Sequence, residues 1–390
     1  MPTDERDHDH TWDRRARLRA CTLVTLCIAL VICLGSLAAE VEYPDVVPGY
    51  QISFPEDEGS HPEFRTEWWY VTGWVEDEAG VERGFQVTFF RARPGLDEDN
   101  PSRFAAKQLL FAHAAISDAK KGALLRAERS ARAGFGLAEA EQGRLAVHID
   151  DWSLRREGDV YRTSVRAADF VIELELRATQ PPLLQGENGF SQKGPDPLSA
   201  SYYYSLPHLA TTGVLSIEGR RHRVKGRAWF DHEWSSQLLD EAAVGWDWIG
   251  LNLDDGSAVM AAQIRTRDGG AHWAIGTWRD GVSRDVSTFR PAEIEWTAGR
   301  RWRSSRSGIE YPVEWRVRLG ERALALAPLM DDQENDTRAS TGTIYWEGAV
   351  RVFDERGSYV GKGYLEMTGY GRRSSALSSG REAWSSGEAR

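Results

Sequence analysis

Apolar and polar residues alternate with a period of two over most of this chain, interrupted by short Gly- and Asp-rich stretches. The clearest case is Phe170-Val171-Ile172-Glu173-Leu174-Glu175-Leu176, whose acids would face water while the other side packs. The same reading predicts strands at 67–76, 84–92, 144–155, 170–178, 224–231, 246–253, 257–266, 271–278, 309–319, 342–353 and 359–369. Asp254-Asp255-Gly256, Asp280-Gly281 and Asp354-Glu355-Arg356-Gly357 supply turns. No helical period persists, so the pattern predicts an all-β protein. The stretch 180–201, with Pro181, Pro182, Pro195, Pro197 and three glycines, reads as a long connection without regular structure. Connections of that kind often cover sites.

A weak internal echo runs through this pattern. Trp69-Tyr70-Val71-Thr72-Gly73-Trp74 leads through an acidic turn into Phe85-Gln86-Val87-Thr88-Phe89-Phe90-Arg91. Trp246-Asp247-Trp248-Ile249-Gly250-Leu251 leads through another into Met260-Ala261-Ala262-Gln263-Ile264-Arg265. Two related barrels or sandwiches in tandem would produce this, and so would any two unrelated hairpins.

Composition adds limits. A chain of 390 residues has room for two cores, and its net charge of −11 comes without a sustained Lys/Arg stripe, which argues against nucleic acid as a partner. At the N-terminus, Arg14, Arg15, Arg17 and Arg19 precede an uncharged run at 20–39, and Ser36-Leu37-Ala38 offers small residues for cleavage. This reads as an export signal; an inner-membrane anchor through 20–39 is the alternative, because the run is long enough to span. The expected location is periplasmic or secreted. All three cysteines (Cys21, Cys27, Cys33) lie in this segment, so the mature chain would have no disulfide, thiolate metal site or cysteine nucleophile. The expected division is a signal or anchor at 1–39, a first domain at 50–236, a second at 237–371 and a disordered tail at 372–390.

Two segments concentrate candidate chemistry. In one, Trp229, Asp231, His232, Glu233 and Trp234 are followed by Trp246, Asp247 and Trp248. In the other, His61, Glu63, Arg65 and Glu67 precede Trp68, Trp69 and Tyr70. Tryptophan rarely decorates a surface, and apolar walls carrying ionisable groups are what a binding or catalytic pocket needs.

These two segments, together with Phe111-Ala112-His113-Ala114-Ala115-Ile116-Ser117-Asp118 and Ser201-Tyr202-Tyr203-Tyr204-Ser205, resemble in order the AttH-like group. That group contains predicted secreted hydrolases and is related to hydroxyneurosporene synthase, the carotenoid 1,2-hydratase. The resemblance implies two lipocalin-like β-barrel domains with a site near their junction. Its carotenoid branch adds water to an isoprenoid double bond; other members are described as secreted hydrolases or as partners of an ABC transporter. His232 and Trp234 match the hydratase His-x-Trp motif. Asp247 matches its downstream aspartate more loosely, since Trp246 and Trp248 stand where the hydratase pattern places a tyrosine farther along.

Hydrating an alkene requires a proton delivered to carbon and a cation held until water attacks. A buried acid, Asp231 or Asp247, would donate the proton, and His232 would position or deprotonate the water. Indole faces would stabilise the cation by ~1–2 kcal/mol each. The expected ligand is a lipophilic small molecule lined by Trp68, Trp69, Tyr70, Tyr203, Trp229, Trp234, Trp246 and Trp248. His61, Glu63, Arg65, Glu67 and His113 would support it, and no cofactor is needed. A non-catalytic lipid-binding accessory of an ABC transporter is the alternative function. A zinc hydrolase built from His61, His113 and His232 with Glu63, Glu67 or Asp231 is a third reading, although no HExxH-type spacing exists. Structural roles compete for each residue: Trp229 and Trp234 as barrel plugs, Asp231 or Glu233 as partners of Arg65 or Arg227. Gly-x-Ser-x-Gly is absent from the sequence, and His148, His208, His222 and His272 read as surface or turn residues.

Overall fold

The computed structural model describes residues 41–96 and 98–371, so the expected export or anchor segment at 1–39 with its cysteines and the expected tail at 372–390 lie outside the described residues. Two antiparallel sheets account for nearly all of it. In the first, Leu109–Asp118, Glu82–Ala92, Thr66–Asp77, Arg220–Ser235, Ala200–Ile217 and Phe170–Arg177 are successive neighbours. This sheet curls into a nearly closed barrel. Arg129 of the Ala123–Arg132 edge strand reaches the opposite edge, donating to the Ile149 carbonyl (3.2 Å) and pairing with Asp151 (2.5 Å). The second sheet places Ala271–Arg279, Ala258–Thr266, Ala243–Leu253, Tyr359–Met367 and Thr343–Phe353 side by side. The architecture is all-β, a nearly closed barrel sheet and a second large sheet, as in two lipocalin-like domains.

The two echoing segments occupy equivalent places. Each forms a hairpin whose second strand pairs with the next strand along the chain, and whose first strand pairs with the last long strand of its sheet. Other expectations needed correction. The 144–155 segment breaks into Ala146–Ile149 and Trp152–Glu157 at Asp150, whose φ of 51° is left-handed. The 309–319 segment breaks after Pro312, which has no N–H for a ladder. The 180–201 connection is not wholly irregular; Leu183–Leu184 and Phe190–Gln192 pair with Ala200–Ile217.

The first and second sheets pack face to face. The Trp74 indole donates to the Gly363 carbonyl (2.9 Å), and Glu82 pairs with both Arg351 (2.8 Å) and Lys362. Residues 66–75 of Thr66–Asp77 and the 228–235 half of Arg220–Ser235 are therefore buried on both faces. Alternate residues enter the first barrel's core or the space between sheets.

In the barrel core the polar centre is Glu67, which is fully buried. It accepts from Arg91 Nε (2.7 Å), lies against His61 Nδ1 (2.7 Å) and His232 Nε2 (2.9 Å), and accepts from the His61 N–H (2.9 Å). Arg91 also donates to the carbonyls of His61 (2.9 Å) and Phe64 (3.0 Å), pinning the segment that leads into the strand. Trp234 stacks on His61 at 3.9 Å and Trp69 on His232 at 4.9 Å. Burial opposes ionisation of Glu67, but Arg91 and the two imidazoles hold its pKa well below the ordinary range. Burial also presses His61 down, yet its contacts with Asp57 and Glu67 carry it up to about 9. Removing one partner of a buried ion pair costs about 3–5 kcal/mol. Glu67→Gln is accordingly expected to lower unfolding free energy by about that amount; chemical denaturation giving a loss under about 1 kcal/mol would refute this role.

Candidate functional site

Three neighbouring strands build the first wall of a cavity between the sheets. Tyr70 lies opposite Asp231, and Asp231 opposite Ser205; Trp68, Glu233 and Tyr203 form the next row. Residues paired in register share a face, so both rows project toward the second sheet. There Trp248 lies opposite Glu366, and Glu366 opposite Glu347. Trp246 and Tyr345, two residues before Trp248 and Glu347, complete that wall. The space between has about 870 Å³ of non-atom volume, its mouth included. A second cavity of about 730 Å³ shares Phe90, Trp246, Tyr345 and Glu366 with it and adds His113. Leu238 and Leu239, on the crossing from one sheet to the other, border both cavities.

The cavity's carboxyl groups differ in how they are held. Asp231 Oδ1 accepts from Ser205 Oγ (2.5 Å) and the Trp229 indole (2.7 Å), while Oδ2 accepts from the Tyr203 hydroxyl (2.8 Å). The Trp248 indole in turn donates to that hydroxyl at 3.1 Å. Burial outweighs these bonds and, with Glu233 adding repulsion, pushes the Asp231 carboxyl up to about 7. Glu233 pairs with Lys193 (2.8 Å) and accepts from the Ser201 hydroxyl. Lys193 comes from the 180–201 connection and is the one cation lining this cavity among the described residues. Burial pushes Glu366 up to about 8 against its bond to Trp246, with Asp231 and Glu233 raising it further. Burial and the neighbouring Glu366 push Glu347 well above the usual carboxylate range, opposed by the hydroxyls of Tyr70 and Tyr345. Near neutral pH, then, the cavity holds protonated carboxyl groups among aromatic rings, an arrangement suited to delivering a proton into an apolar space.

The structure does not bring Asp231, His232 and Asp247 together. Adjacent strand residues point to opposite faces, so Asp231 enters the cavity while His232 points into the barrel core. There His232 lies 3.0 Å from the Asp57 carbonyl and 2.9 Å from Glu67, and burial lowers its pKa. Asp247, between Trp246 and Trp248 of the cavity wall, turns into the second sheet's own core. It pairs with Arg265 (2.9 Å) and accepts from Gln263 (2.7 Å) and Tyr370 (2.9 Å).

The aromatic residues divide by the same parity. Trp68, Tyr70, Tyr203, Trp246 and Trp248 line the cavity; Trp69 and Trp234 stack on core imidazoles instead. Trp229 stands behind Asp231 and lines a separate polar cavity with Lys225 and Arg227. His61 and Glu67 belong to the core centre. Glu63 is exposed, and Arg65 is half-buried with its guanidinium over Tyr43. Asp231 and Glu233 thus do not pair with Arg65 or Arg227. His113 bonds with Tyr345 (2.9 Å) and Ser340 (3.0 Å) across the sheets, and burial lowers it to about 3. His208 is buried against the Ser257 carbonyl (2.9 Å) rather than on the surface.

For the zinc reading, His61, Glu67 and His232 have ligand atoms within 4.8 Å of one another, whereas His113 lies at the other cavity. Arg91, Asp57 and the backbone already engage those atoms, so the cluster is an ion-paired core centre. Sequence reasoning missed Glu347, Glu366, Tyr345 and Lys193 as cavity residues. The available signal was Tyr345-Trp346-Glu347-Gly348-Ala349-Val350 and Tyr364-Leu365-Glu366-Met367, where an acid interrupts a strand apolar at both parities.

A model of the AttH-like family matches residues 45–370. A comparison with curated proteins returned no match. The crystal structure of an AttH-assigned protein from Nitrosomonas europaea is 48% identical, with a TM-score of 0.79, covering 84% of this chain and 99% of its own. Kievitone hydratase from Nectria haematococca has a similar fold at 14% identity and a TM-score of 0.63, covering 85% of this chain and 97% of its own. With most of its length matched by the family model and nearly half of its aligned residues identical to an AttH-assigned structure, this chain belongs to the AttH-like family.

Proposed function

We propose that the cavity between the sheets binds a lipophilic, isoprenoid-like molecule and adds water to one of its double bonds. One observation carries this reading: Asp231, Glu347 and Glu366 converge on an aromatic cavity without an ion-pair partner among the described residues, and burial raises the pKa of each. Proton transfer to carbon needs an acid that is still protonated at working pH, and burial supplies that condition. Asp231 gives its proton to one alkene carbon. The resulting cation sits among Trp68, Tyr70 and Trp248, of which Tyr70 and Trp248 meet edge to face at 5.2 Å. Water attacks the cation and gives its proton to the Asp231 carboxylate left by the first transfer, with Glu347 and Glu366 hydrogen-bonding that water. Alkene plus water becomes alcohol, and Asp231 ends the cycle protonated as it began. Likeness in fold to a protein named as a hydratase agrees with this chemistry.

Of the three catalytic residues expected from sequence, this proposal retains Asp231 and replaces His232 and Asp247 with Glu347 and Glu366. Export to the periplasm or exterior remains part of the reading, on the arginines and apolar run at 14–39. No observation favours a transporter accessory. A non-catalytic carrier would use the same cavity and is separated from the enzyme by turnover.

The test is incubation with acyclic isoprenoid alkenes in ¹⁸O-labelled water, read by mass spectrometry. Labelled alcohol is expected, and Asp231→Asn is expected to lower its rate by about 10²–10⁴-fold. Ligand-dependent change in tryptophan emission without labelled product would establish the carrier instead. The donor must hold its proton to act, so the rate is expected to fall as pH rises through about 7. A pH–rate profile flat from 6 to 9 would exclude Asp231 as the donor.

A further inference from the structure

Glu347 and Glu366 lie directly opposite each other on neighbouring strands, Glu347 buried and Glu366 half-buried, in the same cavity as Asp231 and Glu233. Like charges in register destabilise a sheet. Among the described residues lining this cavity, Lys193 is the single cation, and Glu233 already occupies it at 2.8 Å. Three carboxyl groups are left without a positive partner.

An independent feature shows that the pair is incomplete. The Tyr70 hydroxyl lies beside Glu347, yet neither it nor Glu347 Oε1 makes a hydrogen bond of normal geometry. Both residues are at least nine-tenths buried and both line the cavity. Buried polar atoms that meet outside good hydrogen-bond geometry are poorly satisfied, and both residues border the space a ligand would fill. Around that space stand the faces and edges of Trp68, Tyr203, Trp246 and Trp248. Aromatic walls backed by carboxyl groups attract positive charge through the ring quadrupole and by direct Coulomb interaction.

We propose that this cavity is a cation-recognition site, whose tightest ligands carry one positive centre on an apolar body. The inference rests on the reading of this cavity as the ligand site, but not on turnover. In the hydration reaction the positive centre is the carbocation formed by protonation; a permanent ammonium placed there would imitate it. A carboxylate headgroup would instead meet four acids and a lysine that is already paired. The groups facing the site are Asp231, Glu233, Glu347, Glu366, Lys193 and the hydroxyls of Tyr70, Tyr203 and Tyr345. A bound cation favours ionised carboxylates, so its binding at pH 7 releases protons.

The experiment compares octyltrimethylammonium, 1-octanol and octanoate, each below its micelle concentration, by isothermal titration calorimetry in buffers of different ionisation enthalpy. The ammonium is expected to bind at least tenfold tighter than the alcohol, with proton release, and octanoate weakest. An alcohol that binds as tightly as the ammonium, an octanoate that does so, or cation binding without proton release would overturn the proposal. Glu347→Gln/Glu366→Gln is expected to shrink the ammonium-to-alcohol ratio by at least tenfold, with circular dichroism reporting the fold; an unchanged ratio in a folded variant would also overturn it. If the double variant does not fold, the three-ligand comparison on the unaltered protein decides. Absence of alkene hydration alongside a strong ammonium preference would refute the hydratase reading while leaving cation recognition standing.

Discussion

Residues 66–75 of Thr66–Asp77 and the 228–235 half of Arg220–Ser235 are buried on both faces, and that double burial constrains everything around these two stretches. An ordinary antiparallel strand can send its polar residues to water. These two send one set into a barrel core and the other into the space between sheets. Every ionisable group they carry must therefore be paired, protonated or left for a ligand.

The two faces solve the problem differently. In the barrel core, Glu67 remains ionised because Arg91, His61, His232 and a backbone N–H converge on it, with indoles packed over the imidazoles. In the cavity, Asp231 accepts three hydrogen bonds from neutral donors, and Glu347 and Glu366 face each other. Neutral donors do not offset the loss of hydration, so the cavity acids hold their protons to higher pH. One side is thereby a structural anchor, and the other is chemically poised.

The second sheet contributes by the same alternation. Trp246 and Trp248 enter the cavity while Asp247 between them turns inward to Arg265, Gln263 and Tyr370. Lys193 arrives from a segment whose prolines and glycines permit the chain to wander between short strands before rejoining the sheet. The cavity is consequently a product of contact between sheets, with no single segment containing it.

Period-two alternation and turn chemistry were enough to determine the all-β class and about half of the strands, because both are local properties, but not the long strands Leu109–Asp118 and Ala200–Ile217. The motif order likewise placed the chain in its family. Ala123–Arg132 escaped because its alanines, leucines and arginines have little strand preference, which pairing in the sheet overrode. The sequence also marked Asp231, Trp68, Tyr70, Tyr203, Trp246 and Trp248, since aromatics and acids interleaved at strand spacing announce an unusual environment. What it could not determine was which parity faced which space: a strand buried on both sides shows no hydrophobic contrast to tell its faces apart. That choice, which separated His232 and Asp247 from Asp231 and brought in Glu347 and Glu366 from some hundred residues away, was made only when two sheets packed together.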